Sequence, residues 1–499
     1  MKKFLHTALC GLLVCVCLGS TALAADTKDS ELPDRQGDFY VMVNGEFVTY
    51  EDAVPQAKDN RSFLPMAATF SQLGFAQEDM TWSPEGLITA SKDDLTIALT
   101  LGKKEIVLTK AGVSRTIPTD VAPYVDPATW RTYVPFGLVA DALGYNVGWD
   151  GDTGAVIIDD VDAILAANAA SYTLMNRYLA DYHTSDTVQL TGTTSLDGYA
   201  APKDYTPHLI LFSLEGPCEM RTDGDGNAQY LADLTAQGSY LADGTDLLKR
   251  PCVPDHSLLT FPRSIDVDMR SDLEAGKYFF RSESLRRPQD APAPEDIWYT
   301  LDVIGLLART DIPDMTYDAL RKITAIPDEG STFEESIEIL LKSSKPTSIH
   351  HTAGDTLDKL NSIYADDAFE KSGSVYKSET ETAQDTSITF TLFRNGTTIT
   401  GYAMSVHADD ASLHISKREQ NMDLSMSLSL DTKLYDEEHG LTRSSKVFIS
   451  FDMNGTFRSG TQLPAPQPAA DVAVIPLRTL LAEELSAANI TVPALHQEK

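Results

Sequence analysis

Apolar and polar positions alternate through most of this chain, and turn-forming pairs separate the alternating runs. That is the period of half-buried antiparallel strands. Tyr40-Val41-Met42-Val43 opens the pattern, and Asn44-Gly45 closes it as a two-residue hairpin turn. Further strands are expected over 187–196, 208–220, 240–242, 264–269 and 277–282, with turns at Asp197-Gly198, Asp223-Gly224-Asp225-Gly226 and Asp243-Gly244. A second series covers 387–393, 397–407, 411–417, 422–430 and 447–452, with hairpin pairs at Asn395-Gly396 and Asn454-Gly455. The period changes to three and four over 162–182, where Ile164, Leu165, Tyr172, Met175, Tyr178, Leu179 and Tyr182 share one helical face. Helices are also expected over 296–309, 316–323, 331–342 and 355–369, the third opening on a Ser331–Glu334 capping box. Proline-rich stretches at 287–294 and 463–468 read as breaks.

One element is written twice. Arg61-Ser62-Phe63-Leu64-Pro65, Leu73-Gly74-Phe75 and Trp82 recur as Arg131-Thr132-Tyr133-Val134-Pro135, Leu143-Gly144-Tyr145 and Trp149. The separation is 70 residues throughout, except that the tryptophan drifts by three. Pro65 and Pro135 are expected in the first turn of a short helix, and Gly74 and Gly144 as its left-handed C-terminal caps. Duplicated supersecondary units of this kind need each other to bury their apolar faces. Trp82 and Trp149, at repeated positions, are expected to fill the two cores. Trp130 has Asn60 as its counterpart and is the candidate for an exposed ligand contact.

The repeated pattern, with Val43-Asn44-Gly45 before it and Trp149-Asp150 after it, resembles the copper amine oxidase N-terminal-like or stalk domain of exported bacterial proteins. The likeness covers about a quarter of the chain. In the first copy Met66-Ala67-Ala68 replaces the usual continuation, and extra residues precede Trp82. The resemblance implies a small α+β fold and a non-catalytic accessory role. The enzyme of the family's name needs an Asn-Tyr cofactor precursor and three copper-binding histidines, two of them as His-x-His, and neither pattern occurs here. Farther along, the order helix, meander, helices, meander resembles the open half-barrels of bacterial lipoprotein carriers in topology alone, without a sequence motif.

Processing and charge narrow the setting. Lys2-Lys3, an apolar core over 7–19 and Ala22-Leu23-Ala24 form an export signal over 1–24. No later stretch is expected to anchor the chain in a membrane. Cys10, Cys15 and Cys17 fall in the signal, which leaves Cys218 and Cys252 as either a disulfide or two buried thiols. The formal net charge of −33 repels polyanions, so nucleic acid is excluded as a partner, while the apolar content remains that of a globular protein.

Chemistry is sparse. Asp223 to Asn227 has the oxygen spacing of half a calcium loop, but Leu234 stands where a bidentate glutamate belongs, and a polar hairpin turn explains it better. His350 and His351 are adjacent and would point apart on a strand. His407 and His414 could meet, but no third ligand is spaced to join them. No His-Glu-x-x-His, Gly-x-Ser-x-Gly or phosphate-cradling glycine loop occurs.

The expectation is an α+β protein, with a duplicated strand-helix module over 39–161 and an antiparallel-sheet region with covering helices over 162–462. The latter is divisible near 287–350, and a proline-rich linker with a terminal helix follows over 463–499. Val474-Ile475-Pro476-Leu477 echoes the repeat, and chance similarity explains it. The expected role is a secreted or cell-envelope binding protein, without cofactor or metal, for an unidentified apolar or lipid-like ligand. A secreted hydrolase of wall glycan or peptide and a purely structural surface protein are the alternatives.

Overall fold

The structure is a computed structural model describing residues 32–181, 188–202, 209–223, 227–241, 264–272, 277–282, 297–302, 332–343, 345–381, 386–408, 411–436, 441–459, 462–465, 467–469 and 472–476. The expected signal, Cys252, the break at 287–294, the helix over 316–323 and most of the terminal segment lie outside the described residues. The chain divides into two compact units. Among the described residues, one combines those from 32 to 170 with Glu334–Asn361, and the other combines those of Ser171–Phe333 with those from Ser362 on.

In the first unit the strands are β1 (Tyr40–Val43), β2 (Glu46–Phe47), β3 (Gln56–Lys58), β4 (Arg61–Pro65), β5 (Met80–Trp82), β6 (Leu87–Lys92) and β7 (Leu95–Thr100). They continue as β8 (Glu105–Lys110), β9 (Val113–Pro118), β10 (Tyr124–Val125), β11 (Thr132–Pro135), β12 (Asn146–Asp150) and β13 (Ala155–Asp159). The duplication explains their arrangement. Hairpins β3-β4 and β10-β11 join through β4 and β11, which pair antiparallel with Leu64 opposite Val134, so the sheet order β10-β11-β4-β3 is two-fold about that pair. Ion pairs repeat the symmetry, Arg61 with Asp120 at 2.5 Å and Arg131 with Asp52. β1, which opens the first copy, pairs parallel with β13, which closes the second.

Pro65 and Pro135 end their strands, one residue before the helices Met66–Gln72 and Phe136–Leu143 begin. Gly74 and Gly144 have φ of +79° and +83°. Around Gly74 the terminus is a Schellman cap, with Phe75 N donating to Phe70 O and Gly74 N to Ser71 O, both at 3.0 Å. The three-residue drift of Trp82 is absorbed by a 3-10 turn at Gln77–Asp79. Trp82 and Trp149 do not fill the cores: they are 50% and 52% exposed. Both lie on edge strands, β5 and β12, while Phe70, Phe75 and Phe136 occupy the interior in edge-to-face contact.

The segment 334–361 completes this unit. Ile349 packs with Met42, Ala155 and Ile157, Asn146 Nδ2 donates to Leu341 O at 2.6 Å, and Ile349 N donates to Asp150 Oδ2 at 3.1 Å. The helix Ala353–Tyr364 starts on a capping box. Thr352 N donates to Asp355 Oδ2 at 3.0 Å, and Asp355 N donates to Thr352 Oγ1 at 3.1 Å.

The helix expected over 162–182 is broken into Val161–Ala167 and Thr173–Asp181. Asp366 starts the second piece by accepting from Thr173 N at 3.0 Å and Leu174 N at 2.8 Å. The second unit then runs through β14 (Val188–Pro202), β15 (Leu209–Thr222), β16 (Ala228–Leu241), β17 (Ser264–Asp272), β18 (Lys277–Arg281) and β19 (Ile297–Asp302). After the helices Phe333–Ser343 and Ala353–Tyr364 come β20 (Glu370–Ser372), β21 (Val375–Glu381), β22 (Ser387–Asn395) and β23 (Thr398–Ala408). The last strands are β24 (Ala411–Arg418), β25 (Asn421–Asp436), β26 (Leu441–Ser459) and β27 (Ala473–Pro476). All form one 14-stranded sheet among the described residues, with β14 and β26 adjacent at its centre and β19-β27 as its parallel pair.

Three expectations give way here. Residues 297–302, expected as the start of a helix, form β19, because Ile297, Trp298 and Tyr299 find partners in β18 and β27. Asp197-Gly198 and Asn454-Gly455, read as turns, lie inside β14 and β26. Gly455 faces Gly192, and a Cβ at Gly192 would sit 1.7 Å from Asn454 O, so glycine serves close backbone approach. The Asp223–Asn227 segment does join β15 to β16, with Asn227 N donating to Asp223 Oδ1 at 2.9 Å.

Candidate functional site: the apolar face of the large sheet

Successive side chains on a strand point to opposite faces, and residues paired across strands share a face. The register therefore sorts the sheet into two surfaces. One row runs Thr389, Ser405, His414, Ser425, Asp452, Ser195, Glu215 and Thr235, polar throughout. The row beside it on the opposite face runs Phe390, Met404, Ile415, Leu424 and Met453 before reaching Thr194. A third runs Ile388, Val406, Leu413, Met426, Phe451, Leu196 and Leu214. One face of the sheet is thus water-compatible and the other apolar across many strands.

Cover over the apolar face is uneven. Tyr178 and Tyr364 lie against Tyr402 and Phe390 at centroid distances of 6.0 and 5.1 Å, and Phe333 packs between Tyr172 and Tyr364. Those aromatics are buried, and burial raises the Tyr178 and Tyr402 hydroxyl pKa values. The third row is only partly covered, and Met426 in its middle is 48% exposed. Apolar side chains flanking an open stretch of sheet can shed water only by taking up another apolar surface.

Lys417 interrupts this face, opposite Tyr402 and Met422. It is fully buried, with Nζ 5.4 Å from the Phe457 ring centroid, and desolvation lowers its pKa to about 7. Nothing in the alternation of β24 singles this lysine out, because Lys417 reads as the polar end of a strand.

The sequence candidates are scattered. Cys218 is buried on the apolar face opposite Gly192, and burial raises its thiol pKa. Its proposed partner Cys252 lies outside the described residues. Trp130 sits in the first unit, 80% exposed. His414 and His407 share the polar face as diagonal neighbours, and His414 Nδ1 is 2.7 Å from Ser405 Oγ. His350 and His351 fall in a turn, not on a strand, and desolvation lowers the His351 pKa. Among the described residues no three His, Cys, Asp or Glu side chains cluster as a metal site, and no helix is long and apolar enough to cross a membrane.

Comparison with known proteins adds one identification. No curated protein matches the chain. Among solved structures, a lipovitellin described for its lipid–protein interactions aligns at 7% identity with a TM-score of 0.21, covering 58% of this chain and 27% of its own. A LolA superfamily protein from Nitrosomonas europaea aligns at 8% identity with a TM-score of 0.14, covering 60% of this chain and 96% of its own. The copper amine oxidase N-terminal domain model matches twice, over residues 42–158 and 113–178. Residues 42–178, the duplicated module and what directly follows it, are therefore similar to the copper amine oxidase N-terminal domain, a stalk-like module found in extracytoplasmic proteins.

Proposed function

We propose that the protein is a secreted or cell-envelope binding protein, in which the stalk-like domain is an accessory and the apolar face of the large sheet takes up an acyl chain. The supporting observation is the partly covered row Leu413, Met426, Phe451, Leu196 and Leu214, five apolar side chains in register across adjacent strands. An acyl chain satisfies such a surface because it is unbranched and carries no groups that need hydrogen bonds. At about 25 cal/mol per Å² of apolar surface withdrawn from water, burying a chain of this kind supports a stable complex.

The experiment is organic extraction of the purified protein with mass spectrometry of the extract, followed by titration with a fluorescent fatty acid. Bound acyl lipid, and a probe affinity weakened tenfold or more by Met426→Asp, are the expected results. Met426 is half exposed, so the substitution leaves the fold intact, which circular dichroism checks. A lipid-free extract together with no probe binding overturns the reading.

A further inference from the structure

A separate site lies in the duplicated module. An open cleft of about 640 Å³ is lined by both Trp82 and Trp130, and it draws on the two copies of the repeat. Large aromatics exposed at one cleft are unusual on a surface, where a stability role would bury them. Trp82 presents its ring from edge strand β5.

The conformation of Trp130 is the stronger observation. Its φ is +56°, and its repeat counterpart Asn60 has φ of +58°. Both precede the repeated arginine, Arg61 at the start of β4 and Arg131 directly before β11, so the fold demands a left-handed residue at each position. Asparagine meets that demand readily, whereas a bulky side chain there is strained. A loop holds Trp130 in place: its N–H donates to Asp126 O at 2.8 Å, and Thr129 Oγ1 donates to Asp126 Oδ2 at 2.8 Å. The second copy therefore accepts backbone strain to place an indole ring in water at the cleft, and strain of this kind collects at functional positions.

The remaining lining identifies the ligand class. Glu51, Gln72 and Gln77 supply hydrogen-bonding groups beside the rings, and Arg131 is held by Asp52 at the same cleft. Flat apolar rings bordered by amide and carboxylate groups match a sugar ring, which offers a C–H face for stacking and hydroxyls at its edge. The carboxylates and the net charge of −33 disfavour anionic polymers. We propose that this cleft binds a neutral glycan strand, with Trp82 and Trp130 stacking on its sugar rings.

The test uses the full chain, with retention on insoluble chitin and cellulose and titration with their soluble hexasaccharides followed by tryptophan fluorescence. Binding to at least one glycan is expected. Trp82→Ala should weaken it tenfold or more, and Trp149→Ala, on the other edge strand and outside the cleft, should change it less than twofold. Trp130→Asn restores the residue that the first copy uses. It should weaken binding tenfold or more without lowering the melting temperature, an outcome that a purely structural tryptophan would not give. No retention on either polymer, or binding that survives the Trp82→Ala, Trp130→Asn double variant, overturns the proposal. So does tryptophan-dependent binding of a proline-rich peptide in place of glycan.

Discussion

Asp159 lies on β13 with its side chain fully buried, one carboxylate oxygen accepting from Ala353 N at 2.8 Å. The other oxygen has no hydrogen-bond partner among the described residues. Burial raises its pKa to about 6, and the nearby Asp355 charge adds to the rise, while the Ala353 hydrogen bond opposes it. The sign follows directly. Between about pH 4 and 6 the native state holds a proton that the unfolded chain releases, so this contribution to stability is full below pH 4 and lost as pH rises through 6. Asp159→Asn keeps an acceptor for Ala353 and removes the titration. Its stability relative to the parent should climb between pH 4 and 7, by at most about 3 kcal/mol, and denaturant melts at several pH values check this. Flat pH dependence of that difference would refute it. An aspartate at the end of a hydrophobic strand reads as a turn residue, so no local pattern disclosed its burial.

At the scale of elements, alternation and turn pairs located most strands, because a sheet with one wet face must repeat every two residues. Asp197-Gly198 and Asn454-Gly455 lie within strands and not at the expected turns, since a glycine needed for a turn and one needed for backbone approach look alike in sequence. Gly192→Ala distinguishes them. With its Cβ directed at Asn454 O, it should destabilise the β14-β26 pairing by more than about 2 kcal/mol, whereas Gly396→Ala in the open hairpin turn meets no atom within 4 Å and costs about 1 kcal/mol of backbone strain. Urea denaturation of the two variants provides the measurement. The repeat was legible down to its caps, since Gly74 and Gly144 carry a conformation that other residues resist. The exposure of Trp82 and Trp149 was not, because position in a repeat does not say whether a strand is an edge.

Across the whole molecule, the first unit is assembled from two stretches far apart in sequence, and the second stretch supplies both apolar contact and hydrogen bonds to β12 and β13. Ile349→Ala should therefore destabilise that unit by about 2–4 kcal/mol, with amide exchange rising over 40–43 and 155–159. Unchanged protection there would show that the returning segment is dispensable.

Strand period, hairpin turns, helix caps and the duplication all follow from the amino-acid order, because each depends on contacts between near neighbours. Long-range pairing decided the rest. Register alone brings Leu196, Phe451 and Met426 from three separate strands onto one face, and only folding sets Trp82 and Trp130 at a common cleft. Local patterns cannot specify such meetings, since the free energy of a long-range contact belongs to residues that the intervening chain merely allows to approach.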